Sequence, residues 1–329
     1  MSPSKLILVL GATGAQGQAV VDALLAPEEK SGNPSPYRVR ALTRDPTSAS
    51  AQALAARGVE CFQGSFTDFE AVAKALEGAY GVWVDTDGFT VGAMQEIYAG
   101  MRIYEIAKQI PSLRHYVWSN LPYLFKKSGF NPDYKAHPDA KGRVAEWLSV
   151  QPSVVADNAL SWTIVTSTTY MDMLKGDGTV TWAGEPAGRS ITARETSARA
   201  LGIASDFVGG DYLAKGRKPA IFKRLSIDEW WAHFDKELIN LPLANDAQPE
   251  DPSTTTRKEN FSSVWRILRD GLFDPEFDME WIRRVHPGTL TLEEWMRETN
   301  YDATDKPVLK NALEGKRNWG FKPELAALL

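Results

Sequence analysis

Cysteine is nearly absent: Cys61 stands alone in 329 residues. A single thiol allows neither an intrachain disulfide nor a cysteine-based zinc cluster, so no metal site is expected and a reducing, cytoplasmic setting fits. Excess positive charge is missing too. The formal net charge is −5 with no basic cluster set against it, and a nucleic-acid surface is therefore not expected. Long apolar runs are lacking. The first, Leu6 to Leu10, is too short to span a membrane and runs straight into glycines, which reads as a core strand rather than a signal peptide. Repeats and low-complexity segments do not occur. What remains is 43% hydrophobic and 24% charged, an ordinary globular composition, in a length that suits about two subdomains.

The most informative stretch is the apolar run with its continuation, Gly11-Ala12-Thr13-Gly14-Ala15-Gln16-Gly17 and then an apolar-periodic segment through Leu25. Strand, glycine turn and helix succeed one another without a gap. The first glycine permits the tight turn, Gly14 lets backbone approach a pyrophosphate, and Gly17 lets helix pack closely on strand. The free N–H groups at the helix start then face the phosphates. Glycine turns of this kind also join strands to helices in proteins that bind no nucleotide, but position directly after a strand favours the dinucleotide reading.

Downstream, strands and helices alternate. Strands are expected over Tyr37 to Arg44, Val59 to Gln63, Gly81 to Val84, His115 to Ser119 and Trp162 to Thr166. Helices are expected over Ala49 to Arg57, Asp68 to Glu77, Met94 to Gln109 and Asp139 to Val150. Short crossovers of this type imply an α/β fold, a Rossmann-type doubly wound parallel sheet, with chemistry in the loops at the strands' carboxyl ends. The rhythm breaks beyond Tyr170. Ala220 to Leu225 reads as a strand, Ser226-x-x-Glu229 and Thr291-x-x-Glu294 as capping boxes, and Phe261 to Arg269 as a helix. Residues 1–170 form the expected cofactor domain, with a contribution from about 191–235. Residues 171–329 form a smaller, mainly helical substrate or lid domain.

Cofactor choice is read at the end of the second strand. Thr43 stands where an acid binding the NAD ribose is expected, and Arg44 comes next, which favours the 2′-phosphate of NADP; Asp45 is the opposing feature. Ser65-Phe66 and Thr86-Asp87 end the third and fourth strands and suit adenine and ribose contacts, although a plain turn explains Asp85 and Asp87 nearly as well. The best catalytic candidates lie in Tyr134 to Val144. Pro138 suits the first position of a helix, which puts His137 at the N-cap and Lys141 one turn later. A lysine in the first turn opposes the helix dipole, by about 0.3 to 1 kcal/mol, and asks for a nearby anion or ribose. His137 titrates near neutrality and is suited to move a proton; an ordinary packing histidine is the alternative.

These stretches resemble the NmrA-like family of atypical short-chain dehydrogenase/reductases, and within it the fungal members. The resemblance is carried by Gly11 to Gly17, Thr43 to Pro46, Asp85 to Asp87, His115 to Leu121 and His137 to Val144. It covers residues 1 to about 235 well and is loose thereafter. It implies a Rossmann domain preferring NADP, Lys141 at the nicotinamide end, and contacts from the loop Ser167 to Tyr170, Thr169 and Tyr170 among them. The family's departure from ordinary short-chain dehydrogenases is visible in His137, which takes the tyrosine position of the Tyr-x-x-x-Lys pair.

Seven of the eleven tryptophans lie beyond Tyr170: Trp182, Trp230, Trp231, Trp265, Trp281, Trp295 and Trp319. An aromatic-lined cleft for a bulky aromatic or heterocyclic substrate fits this; ordinary packing is expected to account for most of them, with one or two facing a pocket. The function expected is an NADP-dependent oxidoreductase of fungal secondary metabolism, with Lys141 orienting the cofactor and His137, Tyr134 or Ser119 supplying the proton. A redox-coupled cyclase is one alternative, and a non-catalytic NADP sensor is the other.

Overall fold

In a computed structural model, residues 4–28, 31–156, 158–167, 170, 226–247, 254–272 and 278–300 are described. They form two compact units. The first comprises Met1–Tyr123, His137–Ser167 and Pro242–Thr254; the second takes Leu124–Ala136 and the described residues between 168 and 241 and from 255 onward. The second unit thus claims a short segment between the fifth strand and the next long helix, and the first reclaims one far downstream.

Among the described residues the first unit is built on six strands: β1 (Lys5–Leu10), β2 (Tyr37–Thr43), β3 (Glu60–Gln63), β4 (Gly81–Val84), β5 (His115–Asn120) and β6 (Ser161–Thr166). Every pairing is parallel and the order is β3-β2-β1-β4-β5-β6. This is the doubly wound Rossmann arrangement, in which the order reverses between β1 and β4 and opens a crevice there.

Burial on both faces explains the unbroken apolar run of β1. Leu8 and Leu10 join Val82, Val84, Tyr116 and Trp118 on one face, under α3 (Phe69–Leu76), α5 (Ala93–Ala107) and α7 (Pro138–Ser149). Ile7 and Val9 join Val39 and Ala41 on the other, under α1 (Ala15–Leu25) and α2 (Ala49–Ala55), whose Val21 and Leu54 fill that side. The first unit also holds α4 (Gly88–Val91). Its downstream segment is tied on by backbone: Asn245 N–H donates to the Phe89 carbonyl and Asp246 N–H to the Thr90 carbonyl, both at 2.8 Å.

The second unit contains α6 (Leu124–Lys127), a single 3-10 turn at Pro132–Tyr134, and the helices α8 (Ile227–Trp231), α9 (Lys236–Ile239), α10 (Arg257–Arg269), α11 (Met279–Val285) and α12 (Leu292–Glu298). Both expected capping boxes are present, and a third, Thr256 with Glu259, starts α10 four residues ahead of the expected Phe261. The expected strand at 220–225 lies outside the described residues. No helix among the described residues is long and apolar enough to cross a membrane.

Candidate cofactor and catalytic site

The glycine turn has the geometry that its spacing requires. Gly11 takes φ +79°, and a Cβ at Gly17 falls 2.1 Å from the Gly11 carbonyl oxygen, so both positions exclude a side chain. Gly14 precedes α1 and supplies no side-chain cap, and the first turn of α1 carries no acidic residue. A helix start of this kind keeps its N–H groups and positive dipole end for an anion, which fits the pyrophosphate of a dinucleotide.

Across the order reversal sits the loop after β4. A Cβ on Gly11 would lie 3.0 Å from the Asp85 carbonyl oxygen and 3.3 Å from Asp85 Oδ2, so the glycine turn and Asp85 touch only because residue 11 has no side chain. Lys141 reaches Asp85 from α7. Its Nζ lies 2.8 Å from Asp85 Oδ1, 3.2 Å from Thr86 Oγ1 and 3.7 Å from Glu96 Oε1. The anion that a first-turn lysine asks for is thus supplied by the protein itself. Trp118 fixes the same turn of α7, since its indole N–H donates to the Lys141 carbonyl at 3.3 Å and its ring lies 5.4 Å from Nζ.

Glu96 is 2% exposed and accepts the Thr86 hydroxyl at 2.8 Å. Burial pushes its carboxyl above the ordinary range, against the pull of Lys141 and Thr86. Sequence reasoning missed it. The signal was legible, however: Glu96 shares the i, i+3, i+4, i+7 stripe of α5 with Ala99, Gly100 and Ile103, all buried or core-facing. A carboxylate in that register is a buried charge.

A second chain of contacts runs along the strand ends. Ser119 Oγ donates to Gln16 Oε1 at 2.5 Å, and Gln16 Nε2 donates to Ser167 Oγ at 3.3 Å. It joins the first turn of α1 to the ends of β5 and β6. The remaining candidates have local partners. Asp87 caps α4 through Phe89 N–H and the Thr90 hydroxyl. Ser65 bonds Thr67 at 2.9 Å, and Phe66 packs on the core. Thr43 is buried, with its hydroxyl 3.3 Å from the Asp45 carbonyl oxygen.

Arg44 is exposed, whereas the Asp45 carboxylate accepts from the Thr47 hydroxyl and, at 2.8 Å, from Thr47 N–H. Those bonds hold the Asp45 carboxyl below its ordinary range. They also direct it into its own loop.

His137 stands at the N-cap of α7 in helical conformation with no side-chain cap bond, and its ring is 4.6 Å from that of Phe89. Tyr134 belongs to the second unit. Its hydroxyl donates to Asp270 Oδ2 at 2.6 Å, and this bond pushes the phenol above its ordinary range; Arg269 holds the same carboxylate at 2.7 and 2.8 Å. Tyr170 is half-buried, and Thr169 lies outside the described residues.

The NmrA-like family matches residues 3–177. The chain belongs to the NmrA-like family. One relative, the NmrA-like family domain-containing oxidoreductase hkm9 of Aspergillus hancockii, is 37% identical over 123 residues, 36% of this chain and 34% of that protein. The chain thus spans about a third of the length of such curated relatives, malD of Malbranchea aurantiaca included at 34%.

Among solved structures, the negative transcriptional regulator NmrA in complex with NADP aligns with TM-score 0.50 and 19% identity, over 90% of this chain and 95% of that one. The NADPH-dependent quinone oxidoreductase of Escherichia coli, complexed with NADPH, aligns with TM-score 0.51 and 19% identity, over 89% and 99%. At such identities the likeness of this NmrA-like chain to both is one of fold.

Proposed function

We propose that this NmrA-like protein is an NADP-dependent oxidoreductase acting on a bulky aromatic or heterocyclic small molecule, in the secondary metabolism of a fungus. The observation that carries the reading is Asp85 at the order reversal of the sheet, close against Gly11 and bonded to Lys141. A glycine turn that excludes side chains, an uncapped helix start and a buried lysine beside them are the parts a dinucleotide requires at its pyrophosphate and ribose. The bound nicotinamide supplies or accepts the hydride.

The chain's residues do the rest. Gly11, Thr13, Gly14, Ala15, Gln16 and Gly17 cradle the diphosphate; Arg44, beside Thr43, takes the 2′-phosphate while Asp45 is turned away. Ser65, Phe66, Thr86 and Asp87 flank the adenosine half through backbone and ring surfaces, since their polar side chains are engaged locally. Lys141 orients the ribose, and Ser119, linked to Gln16, or His137 carries the proton. Tyr134, whose hydroxyl is committed to Asp270, is the weaker proton donor. The oxidoreductase name of the fungal relatives and the NADP and NADPH complexes of its structural neighbours support this reading.

The test is calorimetric titration with NADP and NAD, and then NADPH consumption with a panel of aromatic ketones and cyclic imines. Tight NADP binding with turnover is expected, and His137→Ala should lower that turnover by roughly 10²-fold while leaving NADP affinity intact. Unchanged turnover in His137→Ala moves the proton to Ser119. Tight NADP binding with no turnover across the panel supports an NADP sensor instead, the role carried in the name of the regulator whose fold this chain shares.

A further inference from the structure

Glu96 has no part in binding or proton transfer as proposed, yet it is the most deeply buried carboxylate among the described residues. Removing an unpaired carboxylate from water costs several kcal/mol, so a side chain in this position must be held by something. Two features show that the surroundings are shaped around it. A Cβ at residue 88 would lie 2.3 Å from Glu96 Oε2, so the space the carboxylate occupies exists only because that residue is Gly88. Thr86 stands between Glu96 and Lys141, donating to the first at 2.8 Å and accepting from the second at 3.2 Å. The other charged groups that bear on Glu96 are Asp85 and Asp87, both from the loop after β4, and Lys141 from α7.

We infer that Glu96 is a positioning residue for Lys141: through Thr86, and directly across 3.7 Å, it anchors the ammonium from the interior so that Lys141 meets Asp85, the neighbour of the glycine turn, in one fixed geometry. Asp85 alone sits at the outer edge of the site and leaves a four-carbon stem free to follow it. The inner anchor removes that freedom before a ligand arrives, and preorganisation of this kind strengthens binding by lowering its ordering cost. The inference deepens the proposed NADP site and rests on it for the meaning of Lys141, although the placement of Lys141 can be tested without any cofactor.

The experiment uses the full chain carrying ¹³C at the lysine ε-carbons, with the Lys141 resonance assigned from its loss in Lys141→Arg. In Glu96→Gln, which keeps size and shape but removes the charge, the Lys141 signal should broaden and titrate about one pH unit lower than in the wild type. NADP should bind about tenfold more weakly, a change of about 1.4 kcal/mol. Thr86→Val, which removes the bridging hydroxyl and keeps the shape, should move both readouts in the same direction by less, and it carries the test if Glu96→Gln does not fold. A Lys141 signal and titration unchanged from wild type in the folded variants overturns the inference. A wild type that binds no NADP, with Lys141 still displaced in Glu96→Gln, overturns the cofactor reading and leaves the anchor standing. Normal NADP binding with Lys141 unmoved does the reverse.

Discussion

At the carboxyl edge of β4 two carboxylates and a hydroxyl are gathered within 3.7 Å of one ammonium, while in the second unit Trp230, Trp231, Phe234 and Trp265 interlock with ring centroids 4.0 to 5.6 Å apart. The aromatic cluster settles its own polarity. The Trp231 indole N–H finds Ser262 Oγ at 2.9 Å, and the rings pack in edge-on and tilted contact. The polar cluster instead keeps charge where desolvation is costly. Side chains that only stabilise tend to bury little charge, so the two regions differ in kind, and Trp230, Trp231 and Trp265 are core, as ordinary packing was expected to make most of the tryptophans. Trp295 is buried as well; Trp281 is exposed, and Trp182 and Trp319 lie outside the described residues.

The contrast is sharpest under large truncation of each region. Trp265→Ala should destabilise the second unit by about 3 to 5 kcal/mol, the scale for emptying an aromatic site, with NADP affinity unchanged. Denaturant unfolding monitored by tryptophan fluorescence, with calorimetry alongside, reads both. An NADP loss comparable to that of the site variants breaks the distinction between the two regions.

Lys141→Ala acts in the opposite manner. It leaves Asp85 and Glu96 facing each other without a cation, which should cost about 3 kcal/mol near neutral pH and weaken NADP binding as well. The pH dependence has a definite sign. Burial raises the Glu96 carboxyl in the folded state, so the folded protein holds that proton more tightly than the unfolded chain. Its contribution to stability is therefore full below the ordinary carboxylate range and is lost as pH rises through the raised value. Without Lys141 to pull it back down this loss deepens, and the deficit of Lys141→Ala relative to wild type should shrink at acid pH. A deficit that stays flat from acid to neutral pH refutes the assignment of strain to these carboxylates.

Arg44→Ala should weaken NADP binding by about 1.5 to 3 kcal/mol and NAD binding far less, as expected for one charge-assisted contact to a 2′-phosphate. Equal losses for both cofactors remove Arg44 from the site. The smallest effect is expected from Tyr134→Phe. It deletes one hydrogen bond to a carboxylate that Arg269 still holds, so about 0.5 to 1.5 kcal/mol of stability should go while turnover persists. Abolished turnover with stability intact assigns Tyr134 to proton transfer after all.

The parallel sheet was legible because each of its signals is local. The β1 run, the glycine turn and the alternating strands need no partner to be recognised, and observed boundaries depart from the expected ones by a residue or two, as at β3, which begins at Glu60 instead of Val59. Lys141 was found through its conflict with the helix dipole. Its partners were not, because nothing along the chain links residues 85, 96 and 141, and only the parallel pairing of β1 with β4 and the packing of α5 on α7 bring them together. Thr86 and Asp87 were read as ligand contacts from their place at a strand end, yet their side chains turn inward to Glu96 and to the start of α4. Helix α10 begins at Arg257, ahead of the expected Phe261, because a polar stretch runs from Asn245 to Lys258 in the sequence and hides the helix start that the Thr256–Glu259 capping box makes.

The backbone ties from Asn245 and Asp246 to the carbonyls of Phe89 and Thr90 have a consequence for synthesis. The last strand among the described residues ends at Thr166, about 80 residues before those donors emerge. At roughly 5 to 20 residues per second a ribosome takes about 4 to 16 s over that interval. Throughout it the six described strands have been made, but α4, next to the Asp85–Lys141 pair, still lacks the segment that later pins it, and pulsed proteolysis of stalled chains should find that edge open until residue 246 has left the exit tunnel.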